Sequence, residues 1–149
     1  MKVDWQGVFP ALMTEMHEDG RLDLEGTARH IESCLAAGVG GFVMLGTLGE
    51  NSSLSGDEKE AVMRCAVEAV AGRVPVLSGV AEYTTAGAIS YGNRVIKAGA
   101  DGLMVLPAMV YQQDQREGMA HFRAIAKSVD CPIMIYNNRV SYKLDLSPE

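Results

Sequence analysis

The chain has 149 residues, 48% of them hydrophobic, with 13 Lys and Arg against 19 Asp and Glu for a net charge of -6. These values fit one globular domain and exclude a disordered, fibrous or membrane-spanning chain, since no apolar run approaches the roughly 20 residues that a bilayer span needs. An acidic chain without a basic stripe has little attraction for a phosphate backbone, so nucleic acid is not an expected partner, nor is a membrane.

Residues 1–7 lack the basic-then-apolar plan of a signal peptide, and the expected location is cytoplasmic. Three cysteines, Cys34, Cys65 and Cys131, form no CxxC or Cys/His spacing and read as buried reduced thiols. His17, His30 and His121 are isolated, with no second ligand at i+4, so no metal site is expected.

In chain order, short apolar runs alternate with longer segments of helical period, the pattern of parallel βα units. The predicted strands are residues 8–11, 41–45, 74–78, 102–106 and 133–136, and the predicted helices 23–37, 55–71, 84–98 and 116–128. Ser55-Gly56-Asp57-Glu58 is an S-x-x-E capping box ahead of an apolar helical face. Asp23 and Thr84 can cap the helices that follow them.

Ala37-Gly38-Val39-Gly40-Gly41-Phe42-Val43-Met44-Leu45 resembles Ala98-Gly99-Ala100-Asp101-Gly102-Leu103-Met104-Val105-Leu106, two predicted units later. Val74-Pro75-Val76-Leu77 likewise resembles Cys131-Pro132-Ile133-Met134. Units of about 30 residues, with alternate strands alike, match a TIM (β/α)8 barrel of roughly 250 residues. The expected fold is therefore the N-terminal part of an α/β barrel, about five strands and four helices. Residues 1–149 form a partial domain that stops before a sixth strand, with Ser147-Pro148-Glu149 reading as a helix start. The alternative is a complete five-stranded flavodoxin-like domain.

In parallel α/β folds the working residues follow the carboxyl ends of the strands. After the second predicted strand, Gly46-Thr47-Leu48-Gly49-Glu50 is a Gly-x-x-Gly turn whose backbone N–H groups can hold a small anion, with the Thr47 hydroxyl able to give and take a proton. After the fifth comes Tyr136-Asn137-Asn138-Arg139, a phenol at a strand end. Leu106-Pro107-Ala108-Met109-Val110-Tyr111 offers a second phenol, and Gly79-Val80-Ala81-Glu82 a carboxylate. Glu50 and Glu82 could be paired acids or could serve helix N-termini. A phosphate-binding role for residues 46–50 is a further alternative, but the turn lacks an adjacent Lys or Arg and a full G-x-G-x-x-G.

Together these pieces resemble the dihydrodipicolinate synthase and N-acetylneuraminate lyase family of pyruvate-type class I aldolases, over the whole chain. Gly46-Thr47-Leu48-Gly49-Glu50 is similar to the family's GTTGE or GSTGE turn, and Tyr136-Asn137-Asn138 to its YNxP segment. The resemblance implies a Schiff base between a lysine and pyruvate or a related 2-keto acid, with no metal or organic cofactor. It implies that Gly46, Thr47 and the Leu48 amide bind the substrate carboxylate, and that Tyr136 is the general acid and base, relayed through Thr47. It also implies a homo-oligomer.

The chain departs from the family pattern at Leu48, where a second Thr or Ser is usual, at Arg139 in place of the YNxP proline, and at Ser141 in place of an arginine. Near Met109, where many synthases lend a tyrosine across a subunit contact, Tyr111 is the candidate substitute. These differences favour other keto-acid reactions, such as dehydration, hydratase-aldolase chemistry or deamination. The imine lysine of the family belongs to the next strand, past Glu149, and Lys2, Lys59, Lys97, Lys127 and Lys143 do not replace it. The expected function is thus a Schiff-base-forming lyase whose 149-residue piece is inactive alone; the alternatives are a non-catalytic truncated product or interaction module, or a small-ligand-binding domain.

Overall fold

The structure is a computed structural model that describes residues 3–108 and 112–146. Each helix begins where its sequence supplies a cap. Helix α1 (Leu24–Ala36) follows Asp23, whose carboxylate accepts from the Gly26 N–H at 2.7 Å. Helix α2 (Gly56–Val70) carries the expected capping box: Glu58 N–H donates to Ser55 Oγ at 3.3 Å, and Ser55 N–H to Glu58 Oε2 at 2.8 Å. Helix α3 (Thr85–Lys97) is capped by Thr84. Helix α4 (Gln115–Ser128) starts one residue before the expected position because Asp114 and Glu117 form a second capping box. A four-residue helix α5 (Arg139–Tyr142), capped by Asn138, was not expected.

Strands β1 (Phe42–Met44), β2 (Val76–Val80), β3 (Gly102–Val105) and β4 (Ile133–Ile135) form one parallel sheet in that order. The second of these lies two residues later than expected, because Gly79 and Val80 pair with Met104 and Val105. The expected strand at 8–11 is not part of the ladder. It runs beside β1 with a single bridge, Ala11 to Val43, held by Val43 N–H to Pro10 O at 3.0 Å and Leu12 N–H to Val43 O at 3.1 Å. Pro10 has no N–H, so the donor that would extend pairing back along the segment does not exist.

Strand residues alternate between two apolar clusters, as the two-residue side-chain period requires. Phe42, Met44, Val76, Leu103 and Val105 pack beneath the helices against Ile31, Met63, Val95 and Ile125. Val43, Leu77, Met104 and Leu106 lie in the other cluster with Phe9 and Met134. Of this second cluster, Val43, Met104, Leu106, Phe9 and Met134 border the cavity where the site lies. The three cysteines are half-buried rather than buried. Burial still pushes the Cys65 and Cys131 thiols up from the usual range.

Candidate active site

Strand β1 ends abruptly. Leu45 adopts φ +55 and Glu50 φ +58, two non-glycine residues in the left-handed region, a conformation that costs on the order of 1 kcal/mol each and persists only where surroundings hold it. Between them the chain folds into a tight turn, with Glu50 N–H donating to Thr47 O at 3.1 Å. The turn's far end is tied down by Thr14, a buried residue whose hydroxyl donates to Gly49 O at 2.8 Å. Gly49 is required here, since a Cβ would sit 2.9 Å from the Leu45 backbone.

Among the described residues neither Thr47 nor Leu48 donates its backbone N–H to another group. Both side chains are exposed, Leu48 at 57%. Their turn borders a cavity of about 360 Å³ lined by Gly46, Thr47, Leu48 and Tyr136, with Phe9, Val43, Met104 and Met134 among its apolar walls. Tyr136 reaches it from the far side of the sheet. Its N–H donates to Val105 O at 2.9 Å just beyond β4, and its ring meets Tyr142 edge-on at 5.9 Å between centroids. Free N–H donors and a threonine hydroxyl facing a phenol across an apolar-walled cavity can hold a carboxylate and exchange a proton with what it carries.

Four expected site residues, Gly46, Thr47, Leu48 and Tyr136, are therefore brought together, although Tyr136 lies far from the other three in sequence. Tyr111 lies outside the described residues. Glu50 and Glu82 are not a pair: Glu82 accepts from Lys59 Nζ at 2.7 Å, while Glu50 is exposed on the turn. No described lysine lines the cavity. Lys143, in the left-handed region, borders a different hollow with Gln112, Gln113 and Ser141.

Sequence reasoning missed Asn51, Thr14 and Tyr142. Asn51 had a signal, an asparagine directly after a glycine turn, where its short amide commonly bonds nearby backbone. Thr14 had none, because its partner is distant in sequence. His121 is also more than an isolated ring: it is buried, its Nδ1 is 3.0 Å from the Thr85 hydroxyl and its Nε2 3.2 Å from Leu106 O. The Leu106 carbonyl can only accept, so Nε2 carries the proton and Nδ1 accepts from Thr85. Burial holds this imidazole below the usual histidine range. Among the described residues no helix is long and apolar enough to cross a membrane.

Residues 4–149 match the dihydrodipicolinate synthetase family. The chain is 38% identical over 145 residues to 4-hydroxy-tetrahydrodipicolinate synthase of Agrobacterium fabrum, covering 97% of this chain and 49% of that protein. It is 35% identical to an uncharacterized DapA-like lyase of Halobacterium salinarum, covering 88% of this chain and 43% of that one. Among solved structures, YagE, a prophage protein of the dihydrodipicolinic acid synthase family from E. coli K12 in complex with pyruvate, superposes with a TM-score of 0.91 at 35% identity, over 97% of this chain and 48% of that chain. The chloride-inhibited dihydrodipicolinate synthase of Acinetobacter baumannii, complexed with pyruvate, gives a TM-score of 0.91 at 29% identity, over 95% of this chain and 49% of that one. The chain spans about half the length of the curated relatives it matches. That likeness sets aside the flavodoxin-like alternative and makes the four-stranded sheet the N-terminal part of a TIM barrel. On sequence and structure alike, this chain belongs to the dihydrodipicolinate synthetase family.

Proposed function

We propose that this chain supplies the carboxylate-binding turn and the proton-relay tyrosine of a Schiff-base-forming lyase acting on pyruvate or a related 2-keto acid. The observation that carries the reading is that Thr47, Leu48 and Tyr136 line one cavity. The substrate carboxylate accepts from the Leu48 N–H and the Thr47 hydroxyl, and the apolar walls receive its carbon end. Tyr136 then stands beside the keto carbon as general acid and base. Its proton passes through Thr47, the other hydroxyl among the described lining residues, which can both give and take it.

Among the described lysines none is placed to form the imine. Lys59 is engaged with Glu82, Lys97 and Lys127 lie on α3 and α4, and Lys143 borders another hollow. The 149-residue chain is thus a partial barrel that binds the 2-keto acid but does not turn it over. Leu48, Arg139 and Ser141 favour a reaction other than the strict synthase condensation, within the group of aldol cleavage, dehydration and deamination. The working form is cytoplasmic and homo-oligomeric.

The test is a pyruvate titration of the purified chain followed by nuclear magnetic resonance, with borohydride trapping in parallel. Saturable shifts at the amides of residues 46–48, with no reduced adduct on any lysine, are the expected result. Turnover of any 2-keto acid by the 149-residue chain, or an absence of shifts at that turn, would overturn the proposal.

A further inference from the structure

The ladder between β1 and β2 pairs Phe42 with Val76, Val43 with Leu77 and Met44 with Ser78. One more step would pair Leu45 with Gly79, but Leu45 turns away at φ +55 and the ladder stops. The backbone there remains tightly apposed: a Cβ on Gly79 would lie 2.1 Å from the Leu45 carbonyl oxygen. Two carbonyls are left facing inward at this step, and one side chain takes both. Asn51 Nδ2 donates to Leu45 O at 2.9 Å and to Gly79 O at 3.1 Å. Asn51 has no exposed surface, and its own N–H returns to Gly46 O at 3.3 Å. Both side-chain partners can only accept, so the amide has one possible orientation, with its NH₂ towards the strand ends.

We infer that Asn51 is a positioning residue: its side-chain amide replaces the missing rung of the β1–β2 ladder and so fixes how residues 46–49 present Thr47 and Leu48 to the cavity. The turn is held at two points. Asn51 fixes its start against the end of β2, and the Thr14 hydroxyl fixes its finish at Gly49. Gly46, Thr47 and Leu48 lie between; Gly46 O accepts from the Asn51 N–H, and among the described residues the N–H groups of Thr47 and Leu48 meet no acceptor. Without the amide, the buried Leu45 carbonyl loses its donor while Gly79 O keeps only the Ser78 hydroxyl at 3.1 Å, and the easiest relief is for Leu45 to leave the left-handed region and turn towards water. That rotation redirects the N–H groups at 47 and 48. The effect on ligand affinity rests on the carboxylate-binding role proposed above; the effect on the turn does not.

The experiment titrates pyruvate into the nitrogen-15-labelled chain and into its N51L, N51S and V70A variants. N51L keeps the volume and removes the donor, N51S keeps one short donor, and V70A removes a buried methyl pair remote from the turn. We expect N51L to bind pyruvate about tenfold more weakly, the loss of one well-aimed charged contact, with N51S intermediate. V70A should melt at lower temperature with unchanged affinity, which separates positioning from a general loss of stability. Wild-type affinity in folded N51L or N51S, or a loss in V70A that tracks its stability, would overturn the inference. Should N51L fail to fold, N51S decides. If the unsubstituted chain does not bind pyruvate, the functional proposal fails by itself, and the inference is read from the variants alone: amide shifts and faster hydrogen exchange confined to residues 45–50 support it, and an unchanged turn overturns it.

Discussion

Lys59, early in α2, places its Nζ 2.7 Å from Oε1 of Glu82, just past β2, and 4.9 Å from the centre of the Tyr91 ring. The lysine side chain is 8% exposed and the glutamate 23%, so the pair is largely shielded from water. Tyr91 in turn bonds Ser78 at 3.0 Å, and burial pushes its hydroxyl above the usual phenol range, keeping it protonated. A helix, a strand end and the next helix are thus joined through one cation. Removing it leaves a partly buried carboxylate unpaired. Replacing Lys59 with Met should destabilise the chain by about 2 kcal/mol, somewhat below the cost of breaking a fully buried pair because Glu82 keeps some contact with water. K59M combined with E82Q should cost less than the two single changes together, a coupling of about 1 kcal/mol readable in urea unfolding. Additive losses would mean that the two side chains act independently.

Thr47 and Tyr136 should separate binding from chemistry. T47V keeps the shape of the side chain and removes the hydroxyl, and pyruvate affinity should fall about tenfold, the loss of roughly one hydrogen bond to a charged acceptor. Y136F keeps the ring against Tyr142 and should leave affinity within about threefold. In any longer form of the protein that turns over a 2-keto acid, the same change should lower turnover by about 10² to 10⁴, the usual worth of a positioned acid or base. Calorimetry and steady-state rates would read the split, and equal losses from both variants in both measurements would contradict it.

His121 gives the fold a pH dependence. Its buried imidazole is held below the usual histidine range, so in the window between that lowered value and about 6.5 the unfolded chain binds a proton that the folded chain refuses. The stability it supports is complete above about pH 6.5 and is lost as the pH falls through the lowered value. Thermal melts from pH 8 downward should show this decline. H121N should flatten it, and an unchanged slope in that variant would assign the effect to another group.

Strand β4 pairs with β3 on one side and with no other described strand on the other, and Ile135 and Tyr136 are 46% and 37% exposed. An open parallel edge with apolar side chains invites pairing with another chain. Light scattering of the 149-residue chain should give a mass that rises with concentration, and I135K, a charge on that edge, should lower it. A single monomer mass across the range would show that the edge is covered by other means.

The alternation of short apolar runs with capped helical segments made the parallel βα plan legible in the sequence, because periodicity and an S-x-x-E box act over a few neighbouring residues. Gly46-Thr47-Leu48-Gly49-Glu50 and Tyr136-Asn137-Asn138 marked the strand ends for the same reason. What the sequence could not reveal depends on residues that meet across the fold. The segment at 8–11 looks like a strand locally, yet a strand needs a donor at position 10 for its neighbour, and Pro10 has none. Glu82 looked like a possible partner for Glu50 until α2 brought Lys59 to it. Asn51 is one polar residue among several after a glycine turn, and only the close approach of Leu45 to Gly79 turns its amide into a bridge between two strands. Local propensity thus determined which elements form and where their caps lie; tertiary structure decided which distant donors and acceptors meet, since hydrogen-bond partners across strands are set by packing and register, which no local pattern carries.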